Sequence, residues 1–212
     1  SKILPMNRID EEQREVALLI MCSKDARTLN ELLFNHHMDQ VNMEVPLVVS
    51  NHMDLKPHAD FYGVPFRQIP ITKETKPEAE AELLKLIEEF DIELVVLARY
   101  MQIFSDDLTK KLAGKAINIH HSFLPAFKGA RPYHQAHERG VKLIGATAHY
   151  VTEDLDEGPI IEQDVVRVSH SESAPELVAI GRNVEGQTLT RAVQWHTDRR
   201  VLLDGNRTVV FK

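Results

Sequence analysis

Asn118-Ile119-His120 closes an apolar run, Ala116–His120 (AINIH), that reads as a strand. Residues i and i+2 of a strand share a face, so the Asn118 carboxamide and the His120 imidazole project together while Ile119 turns into the core. Two large polar side chains at the end of an apolar strand are the form expected of a site at a strand's C-terminal edge. The alternative is that both only satisfy loop backbone groups. A second segment, His149 to Pro159 (HYVTEDLDEGP), ends another strand and opens an acidic loop. Glu153 and Glu157 read as solvated. Asp156, just before the Gly158-Pro159 turn, is better placed to face inward. Together these types suit acyl transfer. Asn donates to a developing oxyanion. His moves a proton near neutral pH. Asp orients the His and holds a nucleophilic water. No serine or cysteine nucleophile is needed, and Cys22, also at a strand end, reads as a small buried hydrophobe.

Eleven histidines raise the question of a metal. His120-His121, His134-x-x-His137 and His149 offer ligands, but the H-E-x-x-H spacing is missing and adjacent strand histidines diverge. No metal is expected. No G-x-G-x-x-G follows any strand, and the turn after the first one, Cys22-Ser23-Lys24-Asp25-Ala26, has no glycine. Gly114-Lys115 is followed by Ala116, which excludes a P-loop, and there is no G-x-S-x-G. No permanently bound cofactor is expected.

The elements that must position these residues alternate in period. Val16–Met21, Val45–Ser50 and Leu94–Ala98 are apolar runs suited to strands covered on both faces. Pro46 is expected at the start of its strand. Phe66–Ile69 reads as a brief strand. Gly145–Val151 and Ile160–Val168 are the last clear ones, and Thr208–Phe211 reads as an edge strand. Helices are expected over about 27–38, from about 54, over 75–90, from Ser105 to about Leu112, over 133–139 and from Ser173 to about His196. Thr75 with Glu78, and Ser173 with Glu176, have the capping-box spacing, and Leu83, Leu84, Ile87 and Phe90 form one stripe. Gly181 and Gly186 put the continuity of the last helix in question. Strand–helix alternation predicts an α/β fold, a mostly parallel twisted sheet with helices on both faces, whose ligands bind beyond the C-terminal strand ends.

Composition narrows the function classes. The chain has 212 residues, with 43% hydrophobic and 27% charged. A chain of that length buries about 70% of its unfolded surface without staples. One cysteine forbids an intramolecular disulfide and fits a reducing cytoplasm. No apolar run reaches the roughly 18 residues of a membrane span. A net charge of −7, with basic runs no longer than Lys110-Lys111 and Arg199-Arg200, argues against nucleic-acid binding.

Asn118-Ile119-His120-His121-Ser122-Phe123-Leu124-Pro125, followed by the His149–Asp156 segment, resembles the folate-dependent formyltransferases. That resemblance implies a Rossmann-like formyltransferase fold and catalytic roles for Asn118, His120 and Asp156. Leu97–Ser105 looks like the family's folate-pocket strand end. By the same resemblance Leu97, Met101, Gln102, Ile103 and Phe104 meet the folate together with His149, Thr152, Glu153, Asp154 and Leu155. Within the family, transformylases carry a Gly-rich phosphate loop after the first strand, which this chain lacks. Ser50-Asn51-His52, Lys128–Tyr133, Arg191–His196 and Asn206–Phe211 instead look like the deformylase branch. Members of that branch usually begin with a small regulatory ACT domain. Only about 15 residues precede the first strand here, so the expected organisation is an extension over 1–15 and a catalytic domain over 16–212.

The resemblance implies hydrolysis of 10-formyltetrahydrofolate to tetrahydrofolate and formate, supplying formate and balancing one-carbon pools for purine biosynthesis. It implies a cytoplasmic homo-oligomer whose partner is a small-molecule folate. His121 is read as a satisfied loop histidine rather than a water-positioning one, Lys128 and Arg131 as solvated rather than tail-binding. The Leu124-Pro125 bond is expected to be cis. Three other readings stay open: a formyltransferase to an amine acceptor such as glycinamide ribonucleotide, a catalytically silent folate-binding module, and a metallohydrolase.

Overall fold

A computed structural model describes residues 14–122, 127 and 129–212. The Leu124-Pro125 bond, Lys128 and nearly all of the 1–15 extension lie outside the described residues. Seven strands form one sheet in the order β3-β2-β1-β4-β5-β6-β7. They are β1 (Val16–Cys22), β2 (Met43–Ser50), β3 (Phe66–Gln68), β4 (Leu94–Leu97), β5 (Ala116–Ser122), β6 (Leu143–Tyr150) and β7 (Ile160–Arg167). The β3-β2-β1-β4-β5 pairs are parallel, and β6 and β7 add antiparallel. This is the mostly parallel α/β sheet expected.

Side-chain alternation along the buried strands feeds two cores. Leu18, Ile20, Val96 and Ile117 face α1 (Arg27–His37) and the long helix Ala174–Thr197. Leu19, Met21, Val95 and Leu97 face the other side. There they meet Ala79, Leu83 and Leu86 of α3 (Lys76–Glu89) and Leu108 of α4 (Asp106–Lys111). Short helices α2 (Lys56–Phe61) and α5 (Pro132–Arg139) complete the layers, and the long helix is α6. After β3 the chain crosses back to place β4 on the other side of β1, so the strand order reverses between β1 and β4. Such a switch point opens a crevice at the C-terminal strand ends.

Several local expectations need correction. Pro46 lies inside β2, not at its start. It falls at the register irregularity opposite β1 and before β3 begins to pair at Val48, so its missing N–H breaks no ladder there. Thr75 makes no capping bond; its hydroxyl is engaged by Thr72 instead. The buried stripe of α3 is Ala79, Leu83 and Leu86, with Leu84, Ile87 and Phe90 only half-buried. Helix α6 runs unbroken through Gly181 and Gly186. Its Ser173–Glu176 capping box forms; Gly181 packs tightly against Tyr133, and Gly186 faces α1 at ordinary contact distance. Arg207–Val210 pairs with Val201–Asp204 in a separate two-stranded ribbon rather than at the edge of the main sheet.

Candidate active site

Strand β5 outruns its neighbour. Leu97, the last residue of β4, pairs with Asn118, and β5 continues to Ser122 with only β6 beside it. Asn118 and His120 therefore stand within the strand, where one flank has opened. Asn118 pairs directly with His149 across the antiparallel ladder, which puts both side chains on one face. His120 shares that face, and its ring meets His149 at 5.0 Å, edge-on. His121 takes the opposite face and lies 5.9 Å from the ring of Tyr133.

The 152–157 loop brings the third group. Tyr150 N–H donates to Pro159 O at 3.0 Å, which closes the loop at its base. A Cβ on Gly158 would lie 1.7 Å from Tyr150 O, so no side chain fits there. Asp156 holds a left-handed backbone, φ 58°, a conformation Asp tolerates better than most residues and one that gathers at functional sites. Its Oδ1 lies 3.8 Å from His120 Nδ1 and 3.9 Å from His149 Nε2. Both separations exceed a direct hydrogen bond, and one water oxygen can reach the carboxylate and either ring.

His149 is buried and its Nδ1 lies 2.8 Å from Tyr150 O. A carbonyl only accepts, so Nδ1 carries a proton, and the ring turns its Nε2 toward Asp156. Burial lowers the His120 pKa below its usual value; the Asp156 carboxylate opposes that shift and the neighbouring histidines add to it. His120 is thus neutral near pH 7 and able to accept a proton. His121 is also lowered, by burial and then by Arg99 and Arg182.

These groups open onto a cavity of about 380 Å³. Its walls contain every residue the resemblance assigned to catalysis or folate binding: Asn118, His120 and Asp156, then Leu97, Met101, Gln102, Ile103 and Phe104, and His149, Thr152, Glu153, Asp154 and Leu155. Met101, Ile103 and Leu155 are exposed apolar side chains on its rim. Glu80 pins the 101–104 wall, since its carboxylate accepts from Ser105 N–H at 2.9 Å and from the Ser105 hydroxyl at 2.5 Å. Glu153 pairs with Lys110 at 3.5 Å, in keeping with its solvated reading. Arg131 is exposed and precedes α5.

Sequence reasoning passed over Arg99, Tyr100, Asp106, Thr109 and Val151, which also line the cavity; so do Ile119 and His121, the latter from within β5 rather than from a loop as expected. Arg99 carried a usable signal, two residues beyond an apolar strand end. His120, His149 and Asp156 are also the group among the described residues whose donor atoms, all within 4.8 Å of one another, could hold a divalent ion. Two imidazoles and a carboxylate are an ordinary donor set for zinc.

Known proteins bear on this arrangement. The sequence profile of the formyl transferase family matches residues 16–193. A formyltetrahydrofolate deformylase from Corynebacterium is 55% identical over 97% of this chain and 72% of its own length. The crystal structure of a formyltetrahydrofolate deformylase from Burkholderia mallei superposes with a TM-score of 0.93 at 56% identity, over 95% of this chain and 72% of that one. A glycinamide ribonucleotide transformylase from Symbiobacterium toebii shares the fold at TM-score 0.84 and 26% identity, over 93% and 95% of the two chains.

Proposed function

The chain belongs to the formyl transferase family, and we propose that it hydrolyses 10-formyltetrahydrofolate to tetrahydrofolate and formate. The observation that carries this reading is the convergence of Asn118, His120 and Asp156 on a cavity walled by Met101–Phe104 and Thr152–Leu155, in a chain more than half identical to deformylases. The pteridine lies against the apolar rim of Met101, Ile103 and Leu155. Gln102, Glu153 and Asp154 supply polar contacts, with Leu97, Phe104, His149 and Thr152 completing the walls.

Asp156 Oδ1 and His120 Nδ1 hold the attacking water between them. The neutral His120 ring takes its proton as the oxygen attacks the formyl carbon. The carbonyl oxygen becomes an oxyanion, which the Asn118 carboxamide N–H and the protonated His120 ring stabilise. N10 then takes the proton from the His120 imidazolium, the C–N bond breaks, and tetrahydrofolate leaves with formic acid, whose remaining proton passes to solvent to give formate. His120 cannot be base and acid at one instant, so deprotonation of water precedes protonation of N10. The carboxylate of Asp156 favours the imidazolium that forms between the two steps.

Residues 16–212 form the catalytic domain, and 1–15 an extension to it. No helix among the described residues is long and apolar enough to cross a membrane. The one thiol, Cys22, is buried and free, and burial pushes it up to about 12, as suits a cytoplasmic protein with no role for it in chemistry. The reading further carries a homo-oligomer with no resident cofactor and no nucleic-acid partner.

The test is product analysis with purified protein and 10-formyltetrahydrofolate, with and without glycinamide ribonucleotide. Formate and tetrahydrofolate in equal amounts, at a rate indifferent to the amine, support the reading. Turnover only with the amine sinks it in favour of formyl transfer, and tight folate binding without turnover in favour of a silent binding module.

A further inference from the structure

Behind the reacting groups, on the α6 side of the sheet, lies a chain of paired charges that the proposed hydrolysis does not use. Arg99 lines the cavity, yet its Nη1 reaches Glu185 Oε1 on α6 at 3.4 Å. Glu185 is fully buried. It also accepts from the Tyr133 hydroxyl at 3.3 Å and from Arg182 Nη1 at 3.0 Å. Arg182 Nε donates in turn to Asp25 Oδ2 at 2.9 Å. The other oxygen of Asp25 accepts the backbone N–H of Arg27 at 3.1 Å, in the first turn of α1. The Arg27 guanidinium turns away to Asn183.

The start of the helix after the first strand is where a doubly wound sheet ordinarily receives a phosphate, because unpaired N–H groups and the helix dipole converge there. In this chain an internal carboxylate occupies that place and holds the nearest guanidinium. The turn that carries it is tied down. Ser23 is buried, accepts Met101 N–H at 3.0 Å and donates to Asn51 Oδ1 at 2.7 Å. An incoming phosphate would meet the charge of Asp25. It would also draw Arg182 from Glu185, which has no access to water. A water molecule needs nothing from this region.

We propose that Asp25 is a specificity-determining residue: seated just ahead of α1 and held by Arg182, it denies the site a phosphorylated amine acceptor and leaves water as the acceptor of the formyl group. The proposal rests on the hydrolytic reading above. Its test is direct binding of ribose 5-phosphate, measured by calorimetry, so that it does not depend on turnover. The unaltered protein should show no binding at roughly 10 mM, where a millimolar site would be filled. Asp25→Asn keeps an oxygen that can accept the Arg27 N–H and removes the charge. It should bind ribose 5-phosphate at least about tenfold more tightly, and the sugar phosphate should then inhibit hydrolysis with the folate KM unchanged. If Asp25→Asn does not fold, Asp25→Ser, which also carries an uncharged side-chain oxygen, is read in its place. Binding by the unaltered protein, or a folded variant as indifferent as the unaltered protein, overturns the proposal. Absence of formate release from the unaltered protein would instead overturn the hydrolytic reading, whatever the calorimetry gives.

Discussion

Two glycines five residues apart on α6 should respond to alanine with opposite signs. At Gly181 a Cβ would sit 2.2 Å from Cε1, Cζ and Oη of Tyr133. Carbon contacts are comfortable at about 3.5–4.0 Å, so the ring or the helix must give by more than an ångström. Tyr133 has little freedom to move. It is 2% exposed, its hydroxyl donates to Glu185, and the Arg182 guanidinium lies 5.3 Å from its ring centroid. Alanine gains about 1 kcal/mol over glycine in a helix interior. Overpacking costs about 1–3 kcal/mol, and losing the Tyr133 hydrogen bond about 1 kcal/mol more. The cost wins, and Gly181→Ala should destabilise by about 1–3 kcal/mol. At Gly186 the nearest atoms to a Cβ are Glu31 Cβ at 3.4 Å and Cγ at 3.6 Å, ordinary contact, so the helix term stands alone. Gly186→Ala should stabilise by about 0.5–1 kcal/mol. In a chain of this size each kcal/mol moves Tm by about 2–4 °C. Thermal unfolding followed by circular dichroism should show the first variant lower and the second higher than the parent. A Gly181→Ala protein as stable as the parent refutes the packing argument at Tyr133.

Further outcomes concern the site. Asp156→Asn should cut kcat by about 10²–10⁴ with an unchanged far-ultraviolet spectrum; near-normal turnover removes Asp156 from the mechanism. Met101→Ala should raise the folate Kd while leaving kcat within a few-fold, and an unaltered Kd displaces Met101 from the binding wall. His120 must be neutral to act as base, and burial holds its pKa below 6.5. The rate constant kcat/KM should therefore be flat above that pH and fall below it; an acid limb centred at pH 7 or higher contradicts the assignment. Dialysis against a strong chelator should leave turnover unchanged. Loss restored by zinc would make His120, His149 and Asp156 ligands instead.

How far these features are legible in the sequence follows from their range. Strands β1 and β4 are continuous apolar runs because the sheet covers them on both faces, and that pattern is local. The shared face of Asn118 and His120 follows from strand parity alone. Where β5 ends is different, since its last residues are held by β6 after β4 has stopped, a pairing made from distant sequence. Pro46 is tolerated in β2 because β3 is short, which no local rule around Pro46 reveals. Gly181 and Gly186 look like helix breakers until their neighbours on α5 and α1 are known. Arg99 is an exposed-looking cation in sequence, and its role in the wall depends on Glu185, 86 positions away.

The central claim is that water, activated without a metal, takes the formyl group. The most direct measurement uses chelator-treated protein with 10-formyltetrahydrofolate in ¹⁸O-labelled water and no amine acceptor. The account predicts steady formate release with one labelled oxygen in each formate, the other coming from the formyl carbonyl. Formate that appears only after zinc is restored, or no formate until an amine is supplied, contradicts it.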